Sequence, residues 1–396
     1  MKKVVLTALL AAASTIAFAQ GGNTGMGGYD GDYSSLAERV LKLEKKTDAF
    51  NVYFNFASSA MLNESSGDWN SQFAAKQFRL EIKGNLTDKL YYRLRHRMNK
   101  ANAAQSLDNF AKATDIMMVG YKLTPKLDIM AGKMCQIWGG FEFDENPMYI
   151  YQYSDIIDCM DNFMAGVVLS YKPIPTQEFA VELSNVNNNK FATEYGSSAY
   201  RIYSTNDKEL LEAPNHPLTF IFNWNGSFLD DMIQTRWAWG YQNQAQNRGG
   251  QMLTLGQKLN LPNVQWYIDY MGEWDKMDRL GIVTSDLAGI LGGAYAGDVY
   301  YQSFITKLNW QFAPKWNLML KGTYENASMR KIDDLKNYRT SIGYASSIEF
   351  YPDRSQDLRI FLAYIGHHYG FNEACGLPNF NTNRIELGLM YRIKCF

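Results

Sequence analysis

Arg93, Arg95 and Arg97 occupy alternate positions in one short run, and Arg79 and Lys83 share that phase in the run before it. Side chains at i, i+2 and i+4 of an extended chain project from one face, about 6–7 Å apart along the strand. Cations stacked in this way attract anions, most strongly where low-dielectric walls confine the field. The arginine fork also matches the oxygens of phosphate and carboxylate. The opposite charge is concentrated in Gln136–Asp161, which carries Glu142, Asp144, Glu145, Asp155, Asp158 and Asp161 and neither Lys nor Arg. Two readings stay open: the five cations guide anions, or they belong to an ordinary polar wall and some merely pair with loop carboxylates.

Other chemistry is sparse. His96, His216, His367 and His368 show no spacing to a serine or acid that would set up a nucleophile and its base. Cys135, Cys159, Cys375 and Cys395 follow no metal-binding pattern, and Cys135–Cys159 and Cys375–Cys395 are left open as disulfides. Gly139-Gly140 and Gly289–Ala294 lack a following helix pattern and read as bends. No enzyme activity, cofactor or metal is expected, and a net charge of −1 points to no nucleic-acid partner.

The elements that must position the ladder are strands. Phe78, Leu80 and Ile82 alternate with Arg79, Glu81 and Lys83, and the same period-two pattern recurs at Leu218-Phe220-Phe222-Trp224, Val264-Trp266-Ile268-Tyr270 and Tyr338 to Ile348. Sixteen such runs are expected, at 51–62, 73–85, 89–99, 113–123, 127–135, 163–172, 178–187 and 217–226, then 232–243, 251–259, 263–274, 300–312, 315–326, 337–350, 357–369 and 384–396. Most have the roughly 9–11 residues that a tilted strand needs to cross a bilayer. Short turns follow even-numbered strands, while the longest connections (136–162, 188–216, 275–299, 370–383) follow odd-numbered ones. That segregation, with 26 Tyr and 9 Trp to form interfacial girdles, predicts a sixteen-stranded antiparallel transmembrane β-barrel over 51–396. The inward face carries Arg79, Lys83, Arg93, Arg95 and Arg97, and Arg236, Lys307, Lys321, Arg339 and Arg359 join them farther along. Sixteen strands leave an aqueous lumen. The mixed faces of 115–123 and 127–135 leave Lys122 and Lys133 without an orientation, and the last strand puts Cys395 rather than Phe396 in phase.

Ahead of the barrel, Lys2 and Lys3 precede an apolar run that ends at Ala17-Phe18-Ala19, the layout of a signal peptide (1–19) cleaved after Ala19. Residues 20–33 read as a Gly-rich linker. Ser35 and Glu38 form a capping box, and Leu36, Val40, Leu43, Thr47 and Phe50 follow heptad spacing, so 34–50 is expected to be a short periplasmic helix or coiled coil.

In this layout, Trp138-Gly-Gly-Phe-Glu-Phe-Asp-Glu-Asn-Pro147 and Ile150-Tyr-Gln-Tyr-Ser-Asp155 resemble the phosphate-selective porin O and P family, particularly Bacteroidetes-like members. The resemblance covers most of the mature chain. It implies a bacterial outer-membrane channel, commonly a homotrimer, that passes small anionic or neutral solutes. It also implies that the loop at 136–161 folds into the barrel and narrows it, its carboxylates facing the cations of the second and third strands. Arg79, Lys83, Arg93, Arg95 and Arg97 would be the guiding bases, and Glu142, Asp144, Glu145, Asp155 and Asp158 the constriction acids. A non-selective diffusion porin and a surface adhesion barrel are the alternatives.

Overall fold

An alternating strand can satisfy its backbone within a membrane only if its sheet closes on itself, and that closure is what forms here. The structure, a computed structural model, describes residues 49–65, 67–196, 201–204, 208–353 and 357–395. The expected signal peptide (1–19), the linker (20–33), all but the last two residues of the helical segment (34–50), and Phe396 lie outside the described residues.

The strands are β1 (Asn51–Ser65), β2 (Asp68–Asn85), β3 (Leu90–Arg97), β4 (Thr114–Thr124), β5 (Leu127–Cys135), β6 (Phe163–Ile174) and β7 (Gln177–Asn185). Then follow β8 (Arg201–Tyr203), β9 (Lys208–Leu210), β10 (Leu218–Phe228), β11 (Ile233–Ala245), β12 (Arg248–Leu261) and β13 (Val264–Asp275). The last are β14 (Tyr295–Ala296), β15 (Val299–Ala313), β16 (Trp316–Met329), β17 (Arg339–Phe350), β18 (Leu358–Phe371) and β19 (Phe380–Lys394). Sixteen of them form one closed antiparallel barrel, sealed where β1 pairs with β19, from Tyr53 opposite Lys394 to Ser65 opposite Thr382. The short β8, β9 and β14 make a separate three-stranded sheet in the long loops.

Most strand boundaries fall within a few residues of the expected ones. The largest differences are the starts of β2, at Asp68 rather than 73, and β19, at Phe380 rather than 384. The long-loop rim also holds a tight turn at 246–247, which the strands there extend to meet.

Burial is inverted relative to a soluble protein. On β10, Phe220 and Phe222 are 42% and 43% exposed, while Ile221 and Asn223, which alternate with them, are buried in the interior. Aromatic pairs gather toward the strand ends, with Trp316–Phe350 and Trp224–Trp237 near the short-turn rim and Trp274–Tyr300 near the other. Such rings suit the level of lipid headgroups.

The faces left open by the sequence are now set. A β-bulge between Arg95 and His96 shifts the register of β4, so Asp115 and Ile116, although adjacent, are both buried inside. Lys133 is in register with outward-facing Met117 and is buried against Asp108 (2.7 Å) and Gln105 (2.9 Å) of the β3–β4 loop. Lys122 is exposed.

Candidate functional site

The segment after β5 turns into the lumen because its first residues bond to the inner wall. Ile137 N–H donates to Glu182 Oε2 (2.9 Å), and Asn223 Nδ2 donates to the Ile137 carbonyl (2.9 Å). The Trp138 ring lies over Gly240, where a Cβ would come within 2.5 Å of it. Gly139 and Gly140 have φ of 70° and 79°, and a Cβ on Gly140 would sit 3.0 Å from Thr254 Cγ2. These two glycines are therefore more than bends. They combine left-handed backbone with a close approach to β11 and β12 that a larger residue would oppose. Beyond them, Asp269 Oδ2 accepts the amide hydrogens of Phe141 (2.7 Å) and Glu142 (2.8 Å).

The loop then runs along the far wall, and its carboxylates meet cations there one after another. Asp144 pairs with Arg236 on β11 (3.0 Å), Glu145 with Lys307 on β15, Glu142 with Lys321 on β16, and Asp155 with Arg339 on β17 (2.8 Å). Backbone carbonyls add to the attachment: Lys307 Nζ donates to Tyr149 O (3.0 Å) and Arg384 to Tyr151 O (2.7 Å). Tyr151 O–H donates to Glu349 (2.8 Å). Trp138, Phe141, Phe143 and Ile156 are buried beneath the loop, each contributing about 1.5–3 kcal/mol.

The loop carboxylates face the β2 and β3 cations across a cavity, which Asp144, Glu145 and Asp158 border together with Arg79, Arg93, Arg95 and Arg97. The ion pairs of Glu142, Asp144, Glu145 and Asp155 are with the opposite wall, because the loop crosses the lumen before its first carboxylate. Asp158 makes no ion pair among the described residues and accepts a hydrogen bond from Gln152 (3.3 Å). Burial, with Asp155 nearby, raises its pKa above the ordinary carboxylate value.

The ladder stands on the wall that the loop leaves bare. Arg79 lies opposite Arg97, Glu81 opposite Arg95 and Lys83 opposite Arg93. Two carboxylates sit among the five cations. Asp115 contacts Arg97 (2.9 Å), Arg95 (3.3 Å) and Arg79 (3.7 Å), and Glu81 contacts Arg93 (2.9 Å) and Lys83 (3.5 Å). Five positive and two negative side chains leave an excess of three. Between ladder and loop lies a cavity of about 560 Å³, bordered on one side by Arg79, Arg93, Arg95, Arg97, Lys76 and Lys100. Asp144, Glu145, Asp158 and Asp161 border the other side, with Tyr151 and Tyr153. Lys83 does not border it; the side chain is buried over the Tyr53 ring, 5.1 Å from its centre. Sequence reasoning missed Asp115, whose bulge has no signature in the alternation, and Lys76 and Lys100, which flank the ladder.

Other chemistry stays thin. Asp155, Glu325 and His367 place donor atoms within 4.8 Å of one another, but the Arg339 guanidinium already supplies positive charge to Asp155. His367 is stacked on Tyr369 and bonded to Ser341 (2.5 Å), and His368 is bonded to Asn381 (2.7 Å). The four cysteines are free thiols.

Similar architectures occur among solved structures. The outer membrane channel DcaP of Acinetobacter baumannii superposes with a TM-score of 0.60 at 10% identity, over 91% of this chain and 99% of that one. An anion-selective porin from Comamonas acidovorans gives 0.54 at 9% identity, over 87% and 99%. OmpF of Salmonella typhi, in complex with daunomycin, gives 0.56 at 10% identity, over 87% and 97%. At such identities the likeness is one of fold. No curated protein matches the sequence. The family model for phosphate-selective porin O and P, however, matches residues 50–393. The chain belongs to the phosphate-selective porin O and P family, whose barrel places it in the bacterial outer membrane as a channel for small solutes.

Proposed function

We propose that this channel is a passive, anion-preferring diffusion pore and not an enzyme, with the selective wall formed by Arg79, Arg93, Arg95 and Arg97 and flanked by Lys76 and Lys100. One observation carries the reading. Four loop carboxylates are matched by Arg236, Lys307, Lys321 and Arg339 on the far wall, so the ladder's excess charge is left to act on the cavity. A solute entering there meets guanidinium forks on one side and an aromatic, largely neutralised surface on the other. Small anions, phosphate or carboxylates among them, suit that field. Glu142, Asp144, Glu145 and Asp155 serve in this reading to hold the constriction loop, and Asp158 to tune it.

The reading extends to the assembly. The chain is exported by a signal peptide cleaved after Ala19, carries a short periplasmic helix ahead of the barrel, and works as a homotrimer embedded in outer-membrane lipid. Its export and architecture follow the sequence layout, and its trimeric state follows the habit of its porin relatives. The test is the reversal potential of single channels in planar bilayers under a KCl gradient. Wild type is expected to favour chloride, and the triple replacement of Arg93, Arg95 and Arg97 by Ala to shift the potential toward potassium. An unchanged potential in the triple variant would overturn the reading.

A further inference from the structure

The barrel wall is incomplete beside the upper half of β2. β3 pairs with β2 only from Arg79 opposite Arg97 to Asn85 opposite Tyr91, and the last bond between them is Met98 N–H donating to the Phe78 carbonyl (2.9 Å). β2 itself continues to Asp68, paired along its other edge with β1. The β3–β4 loop does not run alongside it. That loop turns to the far side of β3, where the Leu107 and Asp108 amides donate to the Asn188 carbonyl and Asp108 holds Lys133. Among the described residues, the backbone groups of 68–77 on the β3 side have no hydrogen-bond partner.

Part of this open edge lies at membrane depth. Phe73 is opposite Ala60, the tenth residue of β1 counted from the short-turn rim, and a tilted strand takes roughly 9–11 residues to cross a bilayer. Lipid tails cannot satisfy a strand edge, and open edges do not occur against hydrocarbon. The side chains there point the same way. Phe73 is 90% exposed, against 43% for Phe222 on β10, because one side of it has no strand and the other has only Ala60. On the same outward face, Ala75 lies opposite Ser58, and Ser71 opposite Leu62. Small residues of this kind let another backbone approach closely. Lys76 and Gln77, next along β2, border the cavity of the arginine ladder, so the gap adjoins the passage.

We propose that a second copy of this chain seats against the open edge of β2, covering Phe73 and completing the wall beside Lys76 and Gln77. The occupant must offer hydrogen-bonding groups at bilayer depth, which another barrel in the same membrane does and lipid tails do not. The chain's own N-terminal segment joins at the opposite end of β2, where Asn51 lies opposite Lys83. The proposal rests on the trimeric reading above and assigns it a face. Repeated head to tail around an axis, one such contact per copy closes a ring.

The test replaces Phe73 with the photo-cross-linker p-benzoylphenylalanine in the full-length protein and irradiates intact outer membranes. A cross-linked product containing only this protein's peptides is expected. None is expected when the same residue replaces Ile268, which faces outward on β13 across the barrel. Cross-linking at Phe73 only to lipid, lipopolysaccharide or another protein overturns the proposal, as does equal self-cross-linking from both positions. Phe73→Ser should lower the oligomeric fraction at least tenfold by native mass measurement in detergent while the barrel keeps its heat-modifiable folded form, and unchanged association overturns the face. An oligomeric wild type without self-cross-linking at Phe73 rejects this face and leaves the trimer standing; a monomeric wild type rejects both. Should the Phe73 replacement fail to fold, the same replacement at Ser71, on the same face, is read in the same way.

Discussion

Glu142 and Lys321 meet inside the lumen as a buried ion pair, the loop carboxylate on the β16 ammonium, with Ser154 Oγ donating to the second carboxylate oxygen at 2.7 Å. Removing one partner of such a pair costs about 3–5 kcal/mol, because the other charge is left buried. Lys321→Met should therefore loosen the constriction loop, giving larger and noisier single-channel currents, and the double variant Glu142→Gln/Lys321→Met should regain most of the quiet state. Bilayer recordings check this, and a single variant as quiet as wild type would remove the pair from the attachment.

Asp115 offsets part of the ladder's charge through Arg79, Arg95 and Arg97. Asp115→Asn should strengthen the preference for chloride in a salt-gradient measurement. Lys83→Ala is the matched comparison: the side chain lies away from the cavity, so selectivity should stay close to wild type. Equal effects from both substitutions would mean that total lumen charge, rather than its placement, sets the preference.

Acidification supplies a third test. Burial and Asp155 raise the pKa of Asp158, so this carboxylate takes up its proton at a higher pH than an ordinary aspartate. As pH falls from neutral, negative charge leaves the cavity wall before most other carboxylates titrate, and the preference for anions should rise. Asp158→Asn should already show the increased preference at pH 7 and lose the early part of the pH response. A wild-type profile flat between pH 7 and 4 would exclude Asp158 from the passage.

Gly140→Ala probes the entry of the loop. The left-handed backbone at this position costs a non-glycine residue about 1–3 kcal/mol, and its Cβ meets Thr254. The barrel should still fold, since the strands do not depend on this residue, while conductance rises as the loop's first turn is displaced from β12. Heat-modifiability on gels and single-channel conductance separate the two effects.

The strands were legible because a membrane barrel repeats one simple rule, apolar out and polar in, and β10 obeys it with Leu218, Phe220 and Phe222 outside and Thr219 and Asn223 inside, Ile221 being the one apolar residue turned inward there. The inward course of Gln136–Asp161 was implied by the resemblance to the porin family once its place as the third long loop was fixed. Which wall its acids meet was not. Glu142 and Lys321 are 179 residues apart, and nothing in strand alternation says which inward cations lie across the lumen from a given loop residue. Asp115 was missed for a local reason: one bulge reverses the phase of β4, and a lone inserted residue looks the same as an imperfect pattern. Lys133 failed similarly, since its cover comes from the β3–β4 loop rather than from its own strand.

The loop's attachment to one side of the barrel separates two jobs that a narrow pore could have forced onto the same residues. Rigidity is drawn mainly from β7 to β19, with one bond from Gln77 on β2 to the Pro147 carbonyl, and discrimination from β2 to β4. Substitutions along Arg79, Arg93, Arg95 and Arg97 can therefore alter what the channel admits without unfastening the part that narrows it. A lineage carrying this arrangement can change its diet by a few replacements on one wall while its gauge stays the same.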